Sequence, residues 1–134
     1  MKKFHDSNGV LLHQIHRKEE FEGRKNLSED PQFLQCASLK LKEGDTFIPH
    51  RHIWKSVSYE KCIAQESWIV VSGRVKLFLY DLENRLIAEE ILEQGDASFT
   101  YQGGHNYLAL EENTLVYEYK TGPYEGIKND KQHF

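Results

Sequence analysis

"ESWIVVSGRVKLFLYDLENRLIAEEIL" spans residues 66–92, and the spacing of its apolar positions decides the fold class. Within 74–81, Val75, Leu77 and Leu79 fall on one side, and Lys76, Phe78 and Tyr80 on the other. Successive side chains alternate across a strand, so a period of two predicts half-buried β-structure; a helix repeats about every 3.6 residues. Residues 66–73 read as an equally strong strand before it. "DLEN" at 81–84 is a turn signal, and "RLIAEEIL" at 85–92 a further strand.

The same alternation continues outward in both directions. Residues 10–16, 33–41, 97–101, 103–110 and 114–120 read as strands, the second with Phe33, Ala37, Leu39 and Leu41 on one face. "EGD" (43–45) and "EQGD" (93–96) are turns, the polar stretch 20–31 reads as a loop or short turn, and a Gly- and Pro-containing tail follows 120. Short strands with a turn signal about every eight to twelve residues predict an all-β sandwich or barrel, with jelly rolls among the options. No repeat or linker divides the chain, and 134 residues suit one domain over 1–134.

Composition narrows the partners. Hydrophobic residues make up 39% and aromatic residues 12%, the balance of a globular chain rather than a disordered one. The net charge of −4 comes from interspersed charges without a basic stripe, so nucleic acid is not expected as a partner. Cys36 and Cys62 are the only cysteines and form no C-x-x-C pair, which argues against a disulfide framework or thiolate zinc knuckle. No apolar run approaches the ~20 residues of a membrane span. In "MKKFHDSNGVLL", residues 5–8 interrupt any signal-peptide core, so the expected location is cytoplasmic.

"GDTFIPHRH" (44–52) carries the first chemical signal. On a strand His50 and His52 project to the same side, giving two imidazoles that serve a metal if further donors arrive from elsewhere. Such a pair also arises by chance among seven histidines, so taken alone it leaves both readings open. Two further matches bear on it. Glu66 is followed by six residues and then Gly73, and Gly95 leads through "DASFTYQ" to Gly103, Gly104 and His105.

In that order, these elements resemble the two motifs of the cupin family, over about residues 37–120. The resemblance implies a cupin-type double-stranded β-helix, that is, a jelly-roll barrel. Three departures stand out: thirteen residues (53–65) separate His52 from Glu66 where the family has only a few, Tyr101 takes the place of the motif proline, and one residue is missing between Gly103 and His105. Glu60 is a rival carboxylate, but Ser67 rather than glycine stands where the motif then needs one.

By this resemblance His50, His52, Glu66 and His105 are the metal ligands, and the cofactor is a divalent transition metal, with Fe, Mn, Ni and Zn all open. Strand parity places Trp68 and Val70 with Glu66, and Tyr107 with His105. Trp68 and Tyr101 are candidate contacts for a sugar or aromatic substrate, although rings facing a barrel interior also serve simply as core. Trp54 and Lys55, on the 53–65 insertion, are further candidates; that insertion reads equally as a lid or as a hairpin used in dimer packing. On the last strand, either Tyr117 (substrate contact) or Glu118 (proton transfer) faces inside. Glu66, Tyr107, Glu118 and His13 are the candidate acid–base residues.

The ending "YKTGPYEGIKNDK" resembles small single-domain cupins of bacterial surface-polysaccharide and nucleotide-sugar pathways. This implies a metal-dependent isomerase or epimerase acting on a sugar or nucleotide-sugar, as a homodimer. A non-catalytic carbohydrate- or metal-binding cupin and an Fe(II)-dependent dioxygenase acting on a small organic substrate are the alternatives.

Overall fold

The computed structural model describes residues 1–122 and 126–134. Strands β1 (Lys2–His5) and β2 (Leu11–His16) lead through a 3-10 turn (Lys18–Glu20) to β3 (Arg24–Asn26) and β4 (Ala37–Leu39). Strands β5 (Glu66–Ser72), β6 (Val75–Tyr80), β7 (Leu86–Leu92), β8 (Ala97–Thr100), β9 (Gly104–Ala109) and β10 (Leu115–Lys120) follow, and then a single helical turn, α1 (Ile127–Asp130). The chain is therefore all-β, as the alternation predicts.

The strands form a five-stranded sheet in the order β1-β2-β8-β5-β10, a three-stranded sheet β7-β6-β9 and a β3-β4 pair. Every pairing is antiparallel. Inner faces of the two larger sheets share one core, in which Ile15 and Val70 meet Val75, Leu77, Leu79 and Leu92. The three β6 side chains are at most 1% exposed, and each such burial is worth about 1.5–3 kcal/mol. Behind the five-stranded sheet, Leu11, Leu27, Ala97, Phe99 and Tyr101 form a second cluster, covered by Leu34 and Cys36. Hydrogen bonding between the two larger sheets does not close them into a barrel among the described residues.

Tight turns carry the chain from one sheet to the other. Gly103, between β8 and β9, has φ +80°, and a Cβ there would stand 2.4 Å from the Tyr80 carbonyl oxygen. Only glycine combines that backbone angle with so close an approach.

The structure departs from the sequence reading between residues 20 and 65. The stretch read as a loop at 20–31 contains β3, paired with β4. The strand expected over 33–41 shrinks to three residues and buries Ser38, while Leu41 is 55% exposed. Residues 40–65 contain no helix or strand, and 41–63 are exposed throughout. The strand expected around His50 and His52 is thus absent; Pro49 has no N–H to give a ladder.

Candidate functional site

One end of the two-sheet core opens into a cavity of about 700 Å³. Glu66 starts β5, His105 lies at the start of β9, Tyr80 ends β6 and Lys120 ends β10, so strand termini bring all four to the cavity wall. The 81–84 turn supplies Asp81, Leu82 and Asn84, and the C-terminal residues 130–134 complete the lining.

Glu66 is the centre of the polar network. It is 5% exposed, and its Oε1 accepts hydrogen bonds from His105 Nε2 at 3.0 Å and Trp68 Nε1 at 3.1 Å. The same indole N–H also points to Glu118 Oε2 at 3.1 Å. Burial alone would raise the Glu66 carboxyl. The hydrogen bond and charge of His105, with Lys131 and Lys120 behind it, outweigh burial and hold the group below the usual carboxylate range. His105 Nδ1 is buried without a hydrogen-bond partner among the described residues.

A flat wall stands beside this pair. Trp68 and Tyr107 stack with centroids 3.7 Å apart and planes 3° from parallel, and His105 lies 5.4 Å from Tyr107. The Tyr107 hydroxyl meets Ser98 Oγ at 3.1 Å, and burial pushes its phenol well above the ordinary range, against the Ser98 hydrogen bond. Tyr107 therefore stays protonated, and its hydroxyl is engaged within the sheets.

Behind the cavity His13 is fully buried. Its Nε2 lies 2.9 Å from the Tyr80 carbonyl and its Nδ1 3.1 Å from Thr100 Oγ1. A carbonyl only accepts, so Nε2 carries the proton and Nδ1 accepts from the Thr100 hydroxyl. Burial pulls the His13 pKa down to about 4; the Tyr80 carbonyl opposes the shift and nearby His105 adds to it. A ring so enclosed has no path to a ligand.

Of the residues singled out in the sequence, Glu66, His105, Trp68, Tyr107 and Glu118 are brought together. β10 settles the parity left open above: Glu118 turns toward Trp68, and Tyr117 lies on the outer face, 61% exposed. Tyr101 is wholly buried against Phe99, with its hydroxyl 3.4 Å from Ser28 Oγ. His50, His52, Trp54 and Lys55 all lie on the exposed 41–63 segment; the two imidazoles are 5.5 Å apart, and His50 Nδ1 is 3.0 Å from the Ile48 carbonyl oxygen. At the end of the insertion, Ile63 and Ala64 line the cavity. Pro123 and Tyr124 lie outside the described residues.

Sequence reasoning missed Lys120, Asp130, Lys131 and Phe134. Parity along β10 already puts Lys120 on the Glu118 face; the tail residues have no periodic signal.

For a metal ion the fit is partial. The 3.0 Å between Glu66 Oε1 and His105 Nε2 is the length of the hydrogen bond that joins them, and Nε2 would have to give up its proton before the two could serve one ion. His50 and His52 are not beside that pair, and among the described residues no three His, Cys, Asp or Glu side chains are grouped to hold a metal. No described helix is long and apolar enough to cross a membrane. No protein family, curated protein or solved structure matches the chain.

Proposed function

We propose that the chain is a metal-binding cupin-type β-protein acting on a sugar or nucleotide-sugar, with its reaction centre at Glu66 and His105. The observation that carries this reading is the carboxylate–imidazole pair of Glu66 and His105 at the cavity wall, two side chains of the kind that ligate divalent metals. His50 and His52 complete the set when residues 44–52 pair with the outer edge of β9. That edge supports the step: β9 is the last strand of the three-stranded sheet, and its free backbone groups can accept another strand. A divalent ion held there supplies a Lewis acid for a substrate oxygen.

The chain's own residues do the rest. Asn84, Asn106 and Gln132 line the cavity with groups that suit hydroxyl-rich ligands, and Tyr80 and Phe134 offer flat apolar faces. Its volume falls within the range of about 300–1,000 Å³ that takes small organic ligands. Glu118, which shares the Trp68 N–H with Glu66, is the carboxylate placed to move a proton near the pair. A homodimer is supported by β10, an outer strand of its sheet whose Leu115, Tyr117 and Tyr119 are more than half exposed.

Non-catalytic carbohydrate binding is the second reading. It is favoured by Tyr107, whose hydroxyl turns to Ser98 and is held there, away from any ligand. Elemental analysis of the purified wild type beside His50→Ala and His105→Ala tests the centre. Metal is expected in the wild type and reduced in both variants; equal content in all three refutes the ligand assignment. Conversion of nucleotide-sugars by the wild type, lost in Glu118→Gln, separates the enzyme from the binding module.

A further inference from the structure

The 53–63 insertion leaves the fold at the border of an uncovered sheet face. Its base is fixed at Gln65, whose Oε1 accepts from the Leu34 amide at 2.8 Å. The Gln65 amide donates to Thr121 Oγ1 at 3.0 Å, and its carbonyl accepts from the Thr121 amide at 3.0 Å. The base is thus held between the cover that Leu34 and Cys36 give the five-stranded sheet and the end of β10. Beyond it, Ile53, Trp54, Val57, Tyr59 and Ile63 are half to wholly exposed, with Tyr59 edge-on to Phe33 at 5.0 Å. The sheet cover reaches Ile69, which stands opposite Tyr117 in the β5–β10 pairing. Past that point the same face shows Val71, Tyr117 and Tyr119 to solvent, the two tyrosine rings 6.3 Å apart.

With about 150–250 Å² for a whole aromatic side chain, these two groups together expose on the order of 1,000 Å². The largest apolar patch of a typical monomer is roughly 300–600 Å², whereas a stable dimer covers roughly 800 Å² on each partner. We propose that the 53–63 insertion and the Tyr117–Tyr119 face form one self-complementary surface, on which a second copy of the chain docks, the insertion of each copy lying against the tyrosine face of the other. This gives the homodimer reading above its surface and rests on that reading, not on the metal or the sugar. Both halves of the contact belong to one chain, so a two-fold arrangement covers them together and closes at two copies. Lys55, Glu60 and Lys61 mix charges of both signs, so the insertion lacks the single-sign field that an anionic membrane selects. Tyrosine and tryptophan are the residues that interface cores concentrate, and the wholly exposed Trp54 is the anchor. The insertion ends at the cavity, where Ile63 and Ala64 line the wall, so the same contact fixes one side of the site.

The test is sedimentation velocity of the full chain over a wide concentration range, for wild type, Trp54→Ala, Tyr117→Asp and Leu108→Asp. Leu108 is half exposed on the outer face of the three-stranded sheet and serves as the control. Trp54 is wholly exposed, so its removal leaves the core intact, and far-UV circular dichroism checks the fold of each variant. A wild-type dimer is expected. Trp54→Ala and Tyr117→Asp should each raise its dissociation constant roughly 30-fold or more, the scale of an interface hot spot, and Leu108→Asp should leave it unchanged. A dimer that either Trp54→Ala or Tyr117→Asp leaves intact overturns the paired surface while the homodimer stands. So does a dimer that Leu108→Asp weakens as much as the other two. A wild type that stays monomeric at every concentration overturns the surface and the homodimer together.

Discussion

His13 makes the acid stability of this fold calculable. Its ring is fully buried and neutral, with a folded pKa of about 4 against an ordinary 6.5. Between those values the unfolded chain binds the proton and the native one does not, so stability rises with pH across the window and is lost as pH falls. The full difference of about 2.5 pKa units corresponds to about 3 kcal/mol, of which about 2 kcal/mol is already lost at pH 5. That is a large share of the 5–15 kcal/mol that usually holds a domain.

His13→Gln isolates this contribution, because an amide also offers a donor toward Tyr80 and an acceptor toward Thr100 but does not titrate. The variant is expected to be less stable than the wild type at pH 7.5, where imperfect packing is its only handicap. Urea unfolding followed by far-UV circular dichroism gives both stabilities at pH 7.5 and 5.0. The gap should narrow by about 2 kcal/mol, or reverse, at the lower pH. His16, which burial also lowers, titrates in both proteins and cancels from the difference. A gap that stays constant to within about 0.5 kcal/mol across that range would refute a buried neutral His13.

Two further changes test the frame around the site. Gly103→Ala forces a Cβ to 2.4 Å from the Tyr80 carbonyl oxygen at φ +80°, and a loss of at least about 2 kcal/mol is expected in urea unfolding, with the His13–Tyr80 hydrogen bond disturbed; unchanged stability would contradict the close approach. Asp96, 4% exposed, accepts from the Arg17 guanidinium at 2.7 Å and from the Lys18 and Glu93 amides at 3.0 Å each. Asp96→Ala removes the acceptor of the Lys18 and Glu93 amides and one of the two carboxylates on Arg17, which keeps Glu90, so a loss of about 1–3 kcal/mol is expected by thermal or urea unfolding.

What the sequence made legible is what alternation specifies locally. β6 lies over Val75–Tyr80 with Val75, Leu77 and Leu79 buried, because three apolar residues at period two fill one core face whatever lies nearby. Glu66, Trp68 and Val70 share a face for the same reason, and the parity of β9 brings His105 and Tyr107 to meet them. β1 and β3 have no such signal. Lys2–Lys3 and Arg24–Lys25–Asn26 are extended because β2 and β4 offer them hydrogen bonds, and no count of apolar residues within them reveals that. β4 inverts its expected face because three residues paired to so short a partner are placed by the loop around them, where Leu34 and Cys36 take the apolar role.

The candidate site divides along the same line. The pairing of Glu66 with His105 follows from parity on two regular strands. His50 and His52 lie instead on an exposed segment without strand structure, because bringing them to that pair would take a long-range docking that short-motif spacing assumes but does not cause. Lys131 is harder still, since nothing between Glu66 and the tail encodes their meeting; the ion pair arises from Lys120 gripping Asp130 and Phe134 finding the space left by Gly104. The two parts least legible from the sequence are therefore the 44–52 segment, which lies exposed, and the C-terminal residues 130–134, which line the cavity beside Glu66.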